Sequence, residues 1–267
     1  MRIARFVADG GDPAFGVVEL AEDGGSHPET IAAVTGDPLA TAVHYTGERH
    51  MLDDVRLVSP VIPRSKVVAV GKNYAAHAAE FNSSVPAEPL IFLKPNTSVI
   101  GPGEPIVYPP ETENLQFEGE LAIVIGRICR RVPRDRVADV IFGYTIANDV
   151  TARDLQAKDR QWNRAKGFDT FCPLGPWIST HLGLEEAANL AITTRLNGEV
   201  KQDARTADLV FDIPRLIEHI TAFTTLLPGD VVLTGTPEGV GPMQPGDSVS
   251  VTVEGIGTLT NPVVAEG

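Results

Sequence analysis

The sequence predicts a β-rich α+β fold, and two observations lead to this prediction. The first is a series of short apolar runs bounded by Gly, Pro and Asn, which is typical of strands: "KVVAVG", "LIFLKP", "ELAIVIG" and "GYTIANDV". The second is that few segments show helical periodicity. Many strands with few helices favour an α+β arrangement over a sheet wound from repeated βαβ units.

Turn chemistry supports the strands in the second half of the chain. Asn197 and Gly198 separate two alternating runs, which predicts a hairpin with a type I′ turn. Val249, Val251 and Val253 alternate with polar residues, and this period of two predicts another strand.

Three segments are candidate helices. Apolar residues at positions 213, 216, 217, 220, 223 and 227 form one helical stripe after Asp212, which is a suitable N-cap. The other two candidates are shorter segments, "NYAAHAAEF" and "TARDLQAKDRQW".

The chain is predicted to contain two domains. Residues 1–60 hold short apolar runs separated by Gly and Asp turns, which indicates a small β-rich N-terminal domain. Two prolines between apolar runs follow in "LVSPVIPRSKVVAVG". We therefore place the main domain at residues 61–267.

The charge balance narrows the classes of partner. The 267 residues carry 22 basic and 35 acidic side chains, a net charge of −13, so no basic field favours nucleic acid. An anionic substrate would then need locally placed Lys and Arg. No run reaches the ~18 apolar residues of a membrane span, and the start "MRIARFVADGG" lacks a signal-peptide core. Two cysteines without a CxxC pair lead us to expect a reduced, cytoplasmic protein.

Two glutamates inside an apolar run are the first candidate site. In "QFEGELAIVIG", Glu118 and Glu120 are two residues apart, so on a strand both would face the same side. A cation would relieve their repulsion, and Mg²⁺ and Mn²⁺ prefer carboxylate oxygens. Asp149, at the end of another apolar run, could be a third ligand. The residues alone leave a metal site and a solvated edge strand equally open.

Polar residues after Asp149 could line the same cavity. If Asp149 begins a helix, Arg153 at i+4 and Gln156 at i+7 share its face. Lys166 lies in a Gly- and Pro-rich stretch and could meet an anionic substrate or a developing enolate; the alternative is a surface lysine. Thr236, in "LTGTPEGVG", could help to bind a carboxylate, or could belong to a simple turn.

A histidine and a glutamate form the remaining candidate pair. His77 and Glu80 are i, i+3 neighbours if their segment is helical, so the carboxylate could orient the imidazole as a general base. Pairs of this kind are common on surfaces, and the residues alone favour that interpretation.

Taken together, the segments resemble the fumarylacetoacetate hydrolase family over residues 65–262. The resemblance is carried, in order, by "VGKNYAAHAAE", "FLKPNTSVIGPGEPIVYP", "FEGELAIVIG", "YTIANDVTARDLQ", "KGFDTFCPLGPW" and "LLPGDVVLTGTPEGVG". It implies a mixed β-sandwich roll that forms a homodimer, with Mg²⁺ or Mn²⁺ held by Glu118, Glu120 and Asp149. It also implies that His77 and Glu80 are an acid/base pair on a mobile lid. The substrate would be surrounded by Arg153, Gln156, Lys166 and Thr236.

The resemblance also sets the expected chemistry. Only about sixty residues precede the motifs, as in the shorter bacterial-type members of the family. We expect a metal-dependent hydrolase that cleaves a C–C bond in an acylpyruvate such as fumarylpyruvate through a metal-stabilised enolate. The alternatives are 2-hydroxyhepta-2,4-diene-1,7-dioate isomerase, 5-oxopent-3-ene-1,2,5-tricarboxylate decarboxylase and oxaloacetate decarboxylase, all acting on small anionic 2-oxo acids in aromatic catabolism.

The sequence leaves open a non-catalytic alternative and the recognition of one end of the substrate. A binding protein without turnover would not need an acid/base pair, so His77 and Glu80 favour an enzyme. The residue that recognises the distal end of the substrate is not placed. The lid or the glycine-rich turn after Thr236 could provide it, and Lys94 is a further possible cation.

Overall fold

The computed structural model describes residues 1–21, 28–80 and 83–267, and strands dominate it. The strands are β1 Arg2–Val7, β2 Ala14–Glu19, β3 Thr30–Val34, β4 Tyr45–Met51, β5 Arg56–Val58, β6 Val67–Gly71, β7 Leu90–Lys94, β8 Val99–Ile100, β9 Ile106–Tyr108, β10 Leu115–Phe117, β11 Gly119–Ile125, β12 Ile141–Asn148, β13 Thr151–Ala152, β14 Cys172–Ser179, β15 Ala191–Leu196, β16 Glu199–Arg205, β17 Val231–Leu233, β18 Gly241–Pro242, β19 Ser248–Val253 and β20 Gly257–Ala265. The α-helices are α1 Ala75–Glu80, α2 Arg153–Lys158, α3 Asn163–Lys166, α4 Leu184–Ala187 and α5 Ile213–Phe223. Short 3₁₀ helices span Leu52–Asp54, Asn96–Ser98, Arg134–Val140 and Thr206–Asp208.

The largest sheet is mixed and has twelve strands. Its main order is β4-β3-β2-β1-β14-β12-β11-β17-β6-β7, while β5 pairs with β1 and β8 pairs with β14. The pairs β6/β17 and β8/β14 are parallel and the neighbouring pairs are antiparallel. This mixture confirms the predicted β-rich α+β fold.

The N-terminal strands continue this large sheet. Strand β1 pairs with β14, with Arg2 opposite Ser179 and Ile3 opposite Ile178. The strands of the first sixty residues are therefore hydrogen-bonded to the rest of the chain, and the domain boundary near residue 60 stays a prediction from sequence.

Two smaller sheets complete the fold. One has the order β13-β10-β18 and the other has the order β16-β15-β19-β20-β9. The predicted hairpin joins β15 to β16, and both turn residues have positive φ, 52° at Asn197 and 84° at Gly198. This is the type I′ geometry expected from their side chains.

Strand β11 is buried on both faces. Leu121, Ile123 and Ile125 point into one core cluster, together with side chains of α5. Ala122 and Val124 point into a second cluster on the opposite face. Burial on both sides explains why this strand reads as a continuous apolar run instead of an alternating one.

Helix α5 forms where its apolar stripe predicts it. Leu216, Ile217 and Ile220 are buried, and the Asp212 carboxylate accepts a hydrogen bond of 2.8 Å from the Arg215 N–H. The predicted N-cap is therefore confirmed.

Two local predictions were wrong, and both errors fall where the chain changes sheets. Glu118 does not lie within a strand, because β10 ends before it and β11 begins after it. Asp149 does not begin a helix, because β13 intervenes and pairs with β10. The chain thus leaves the small three-stranded sheet at Glu118 and returns to it just after Asp149. The Asp149 N–H donates to the Glu118 carbonyl oxygen at 2.8 Å, which fastens the two junctions together.

Within the described ranges, no helix has both the length and the apolar character needed to cross a membrane.

A buried aspartate joins the parallel strands β6 and β17. Asp230 is fully buried and accepts hydrogen bonds from the Ser65 hydroxyl, the Leu227 N–H and the Lys66 ammonium, the last at 2.9 Å. We predict that Asp230→Ala lowers the free energy of unfolding by about 3 kcal/mol or more, since these donors lose a buried acceptor. Urea denaturation measures this change. The exposed control Asp203→Ala should change it by less than about 0.5 kcal/mol, and equal effects would contradict the prediction.

Candidate active site

Three carboxylates meet at the junction between the sheets. Glu118 lies between β10 and β11, Glu120 is the second residue of β11, and Asp149 follows β12. One oxygen from each lies within 4.8 Å of the others, and all three residues are buried. The structure thus brings the three predicted metal ligands together, although Glu118 reaches this position from a break between strands.

Three cations surround these carboxylates. The Lys166 ammonium lies 2.7 Å from Glu118 Oε2 and 2.8 Å from Asp149 Oδ2. The Lys94 ammonium contacts Asp149 Oδ1, and the Arg153 guanidinium contacts Glu118 Oε1. Lys94 is only 1% exposed and Lys166 only 2%, so these ion pairs are shielded from solvent.

The charges leave Glu120 in a different state from Glu118. Burial raises the pKa of Glu120 well above its usual range, and the neighbouring carboxylates of Asp149 and Glu118 raise it further. Burial also acts to raise the pKa of Glu118, but the charges of Lys166 and Arg153 outweigh it and hold that pKa below its usual range. Glu120 is therefore the carboxyl group that a further cation would stabilise most.

The donor set fits a divalent cation. Three carboxylates within reach of one another are the hard oxygen ligands that Mg²⁺ and Mn²⁺ prefer. The three carboxylates repel one another, and this repulsion contributes to the raised pKa of Glu120. A divalent cation would relieve it. Glu118, Glu120 and Asp149 are thus the residues that would hold it.

Glycine 119 allows the two glutamates to converge. A Cβ atom at this position would overlap the Thr194 hydroxyl of β15, so only glycine fits. Gln202 accepts a hydrogen bond from the Gly119 N–H at 3.0 Å, and Thr236 donates one to its carbonyl oxygen at 2.9 Å. Gln202 also donates to the Thr236 hydroxyl at 2.8 Å. The peptide between the glutamates is held on both its donor and its acceptor side.

His77 and Glu80 lie on α1 beside this cluster. His77 Nδ1 is 3.3 Å from Glu80 Oε2, and the Gly239 N–H donates to Glu80 Oε1 at 3.3 Å. His77 is buried, and burial lowers its pKa, although the Glu118 and Glu80 carboxylates oppose this. The imidazole is therefore neutral near pH 7 and able to accept a proton.

A cavity connects the candidate residues. Its outer part, of about 300 Å³, is lined by Lys72, His77, Ala78, Ser83, Arg153, Gln156, Ala157 and Trp162. An inner chamber of about 20 Å³, close to the volume of one water molecule, adds Glu118, Asp149, Lys166 and Thr236 to the lining. The two parts adjoin, because they share five lining residues: Lys72, His77, Arg153, Gln156 and Trp162.

The remaining predicted residues fall in the wall of this cavity. Arg153 Nη1 donates to Gln156 Oε1 at 2.6 Å, and Arg153 Nε donates to Gln116 at 2.8 Å. Arg153 and Gln156 are neighbours on α2, although that helix does not start at Asp149. The Thr236 hydroxyl holds the Gly119 carbonyl oxygen, so this side chain supports the carboxylates as well as lining the chamber.

Sequence reasoning gave little or no weight to several residues here. Lys94 ends the apolar run "LIFLK", and a lysine that ends an apolar run was a usable signal. Gln202 had none, because it approaches from β16 in another sheet. Trp162, which packs edge-on to Phe92 with ring centroids 5.3 Å apart, lies between α2 and α3 at the end of a segment predicted to be helical, and it was not singled out.

The predicted lid is only partly described. Phe81 and Asn82 lie outside the described residues. Its mobility stays a prediction.

The comparisons with known families agree with this fold and site. The family model described as fumarylacetoacetate (FAA) hydrolase C-terminal matches residues 66–264, and a model described as Rv2993c-like, N-terminal, matches residues 1–60. The chain belongs to the fumarylacetoacetate hydrolase family, which confirms the resemblance inferred from its motifs.

Individual relatives span several reactions. Protein Rv2993c of Mycobacterium tuberculosis is 53% identical, covering 100% of this chain and 99% of its own. Oxaloacetate tautomerase YisK of Bacillus subtilis is 40% identical over 80% of this chain and 75% of its own. A structure described as 5-carboxymethyl-2-hydroxymuconate delta-isomerase from Mycobacterium smegmatis has 52% identity and a TM-score of 0.89, covering 100% of both chains. A maleylpyruvate hydrolase from a Sphingobium strain has 33% identity and a TM-score of 0.80, again over 100% of both.

The carboxylate cluster makes a direct prediction about metal binding. Mg²⁺ or Mn²⁺ should raise the melting temperature of the protein, because ligand binding to the folded state stabilises it. Glu120→Gln should abolish this shift without lowering the melting temperature in the absence of metal, since a neutral amide relieves the repulsion between carboxylates. Differential scanning fluorimetry with and without metal measures both effects. The exposed control Glu111→Gln should keep the wild-type shift, and a full shift in Glu120→Gln would remove Glu120 from the ligand set.

Proposed function

We propose that the protein is a divalent-metal-dependent enzyme that moves a proton between the enol and keto forms, or between neighbouring carbons, of a small 2-oxo dicarboxylate. One observation carries the proposal. His77, which contacts Glu80, lines the same cavity as Glu118 and Lys166, so a base and an anion-stabilising centre face the same bound molecule.

The local charge supports an anionic substrate. If all three are ionised, Glu118, Glu120 and Asp149 are balanced by Lys94, Lys166 and Arg153. A divalent cation would then leave an excess of two positive charges in a buried site, although the whole chain has a net charge of −13. A dianion would neutralise that excess, and the low dielectric of the cavity strengthens the attraction.

The chain's own residues account for proton transfer. A divalent cation in the site would supply Lewis-acid stabilisation of negative charge on the oxygens of the 2-oxo acid. Lys166 adds a second positive charge at the inner end of the cavity, where that negative charge develops. With Nδ1 directed to Glu80, His77 Nε2 is the atom that would take a proton from one substrate carbon and return it to another. Glu80 orients the ring and stabilises the imidazolium that forms.

Proton transfer requires less of the site than hydrolysis does. Isomerisation needs one base and a stabilised enolate, whereas C–C cleavage also needs a water molecule aimed at the distal carbonyl. The relatives named as an isomerase and a tautomerase are 52% and 40% identical, and two named as hydrolases are 36% and 33% identical. These facts favour isomerisation or tautomerisation over the hydrolysis expected from sequence.

Acylpyruvate hydrolysis is the second candidate. The specific observation in its favour is the contact of 3.3 Å between His77 and Glu80, because a carboxylate-oriented imidazole is also suited to activate water. Decarboxylation of oxaloacetate would use the same enolate stabilisation.

A substrate panel tests the proposal. Oxaloacetate, a hydroxylated heptadienedioate, fumarylpyruvate and acetylpyruvate are each incubated with Mg²⁺ or Mn²⁺ in deuterated water and followed by NMR. We expect enzyme-dependent deuterium exchange or a shifted double bond without cleavage. Pyruvate with a second acid would instead establish the hydrolase, and carbon dioxide the decarboxylase. An absence of any reaction would refute the enzymatic proposal.

The base is tested on whichever substrate reacts. His77→Gln should lower kcat by about 10²- to 10⁴-fold, the range for loss of a general base, while the metal-induced melting shift is retained. His181→Gln, at an exposed histidine, should change neither quantity. If His77→Gln also lost the melting shift, His77 would be acting at the metal and not as the base.

We also propose that the protein is a homodimer. Strand β7 ends the large sheet, and it exposes Leu90 at 38% and Leu93 at 47%. Apolar side chains on an edge strand are suited to contact a second chain. Sedimentation equilibrium should give twice the 28.5 kDa of one chain, and a monomer at micromolar concentration would contradict this.

A further inference from the structure

Lys72 holds an unusual position at the cavity. This residue lines both the inner chamber and the outer cavity. Its backbone φ is +57°, a left-handed conformation that non-glycine residues rarely adopt and that tends to occur at functional sites. Neither the spacing of motifs nor the resemblance to the family singled it out.

The backbone around Lys72 is firmly held. Asn73, the next residue, is fully buried. Its amide nitrogen donates to the Thr234 carbonyl oxygen at 2.7 Å, and its amide oxygen accepts from the Phe211 N–H at 2.8 Å. On the other side, Gly71 leaves no room for a Cβ atom because Trp162 packs against it. These contacts fix where the Lys72 side chain begins.

Lys72 differs from the other cations of the lining in its partner. Arg153 and Lys166 each form an ion pair with Glu118. Lys72 forms no ion pair within the described part of the chain, and its ammonium instead donates to the Ser83 hydroxyl at 2.5 Å. A positive charge held by a neutral hydroxyl can still gain a carboxylate partner, and such charge-assisted hydrogen bonds are stronger than neutral ones.

Ser83 connects this lysine to the segment that carries His77. The Ser83 N–H donates to the Ala78 carbonyl oxygen of α1 at 2.9 Å. A ligand group bound between Lys72 and Ser83 would therefore contact both the residue that follows β6 and the segment that follows α1. The Trp162 ring in the same lining offers an apolar surface for the carbon chain between this point and the inner chamber.

We infer that Lys72 binds the distal carboxylate of the substrate, with the Ser83 hydroxyl as a second donor. The 2-oxo acid end lies in the outer cavity at the opening of the inner chamber, and Lys72 selects dicarboxylates over monocarboxylates. This inference rests on the proposed function, in that it assumes the same cavity and a 2-oxo acid. It adds a specificity-determining residue that the proposed chemistry does not require.

A pair of matched acids tests it in binding. 2-Oxoglutarate and 2-oxopentanoate have the same five-carbon chain and differ only in the distal group, a carboxylate or a methyl. Calorimetric titration of the Mg²⁺-loaded protein should show a preference for 2-oxoglutarate. Lys72→Met should weaken 2-oxoglutarate binding by about 10- to 100-fold, the effect of a lost charge-assisted hydrogen bond, and should change 2-oxopentanoate binding by less than about twofold.

Two further variants separate recognition from folding. Lys72→Arg keeps the charge and should restore most of the preference. Lys158→Met removes a charge from an exposed position on α2 and should leave both affinities unchanged. An equal loss for both acids in Lys72→Met would show a structural role, and an unchanged preference would show that another group binds the distal end. A wild-type protein without any preference would likewise overturn the inference.

Failure of the Lys72 inference can be distinguished from failure of the proposed reaction. If no substrate reacts but the preference for the diacid disappears in Lys72→Met, the reaction is wrong and the recognition site stands. If a diacid substrate reacts, Lys72→Met should raise its KM with little change in kcat, because the contact lies away from the reacting carbons. A fall in kcat with unchanged KM would overturn the inference while leaving the reaction in place.

Discussion

The hydrogen bond between Asp149 and Glu118 joins the two points at which the chain changes sheets, and the site depends on it. At each point the chain passes between a strand of the twelve-stranded sheet and a strand of the three-stranded sheet. A residue at such a junction is released from the alternation that a continuous ladder imposes, so its side chain can turn toward a shared centre. Because the backbone link of 2.8 Å holds both junctions in register, carboxylates thirty-one positions apart in sequence converge without a loop of their own.

The second requirement is electrostatic. The carboxylates of Glu118 and Asp149 and the ammonium groups of Lys94 and Lys166 are withdrawn from water, which is tolerable because each of these charges has an opposite one close by. The arrangement is uneven, since Glu118 is well compensated and Glu120 is not. That imbalance suits the carboxylate cluster to a cation. In the proposed function, the bound cation would in turn attract anions to the cavity, and this is how a strongly acidic protein would recognise a small acid.

The sequence predicted the parts of this structure that depend on local patterns. The hairpin at Asn197 and Gly198 and the helix capped by Asp212 were found because turn and helix signals are short-range. The carboxylate cluster was suggested by a spacing of two residues, but the break in the strand at Glu118 was not, since it depends on pairing with β13 and on the Asn148 side chain, which accepts from the Glu118 N–H at 2.9 Å. Lys72 and Gln202 could not be found in this way, because their roles come from contacts with distant segments.

Gly119, between the two glutamates, packs against a hairpin that extends to the protein surface. Strand β15 packs directly against this peptide, with the Thr194 hydroxyl where a Cβ atom would be. The exposed tip of the β15–β16 hairpin lies only three residues further along the chain. For protein engineering, insertions confined to that tip would leave the spacing of the carboxylates intact, whereas an insertion within β15 would shift the side chains that pack against the peptide at Gly119. Changes in the inner half of this surface hairpin would therefore alter the positions of the carboxylates that could hold a metal, so that half of the hairpin is part of the candidate active site.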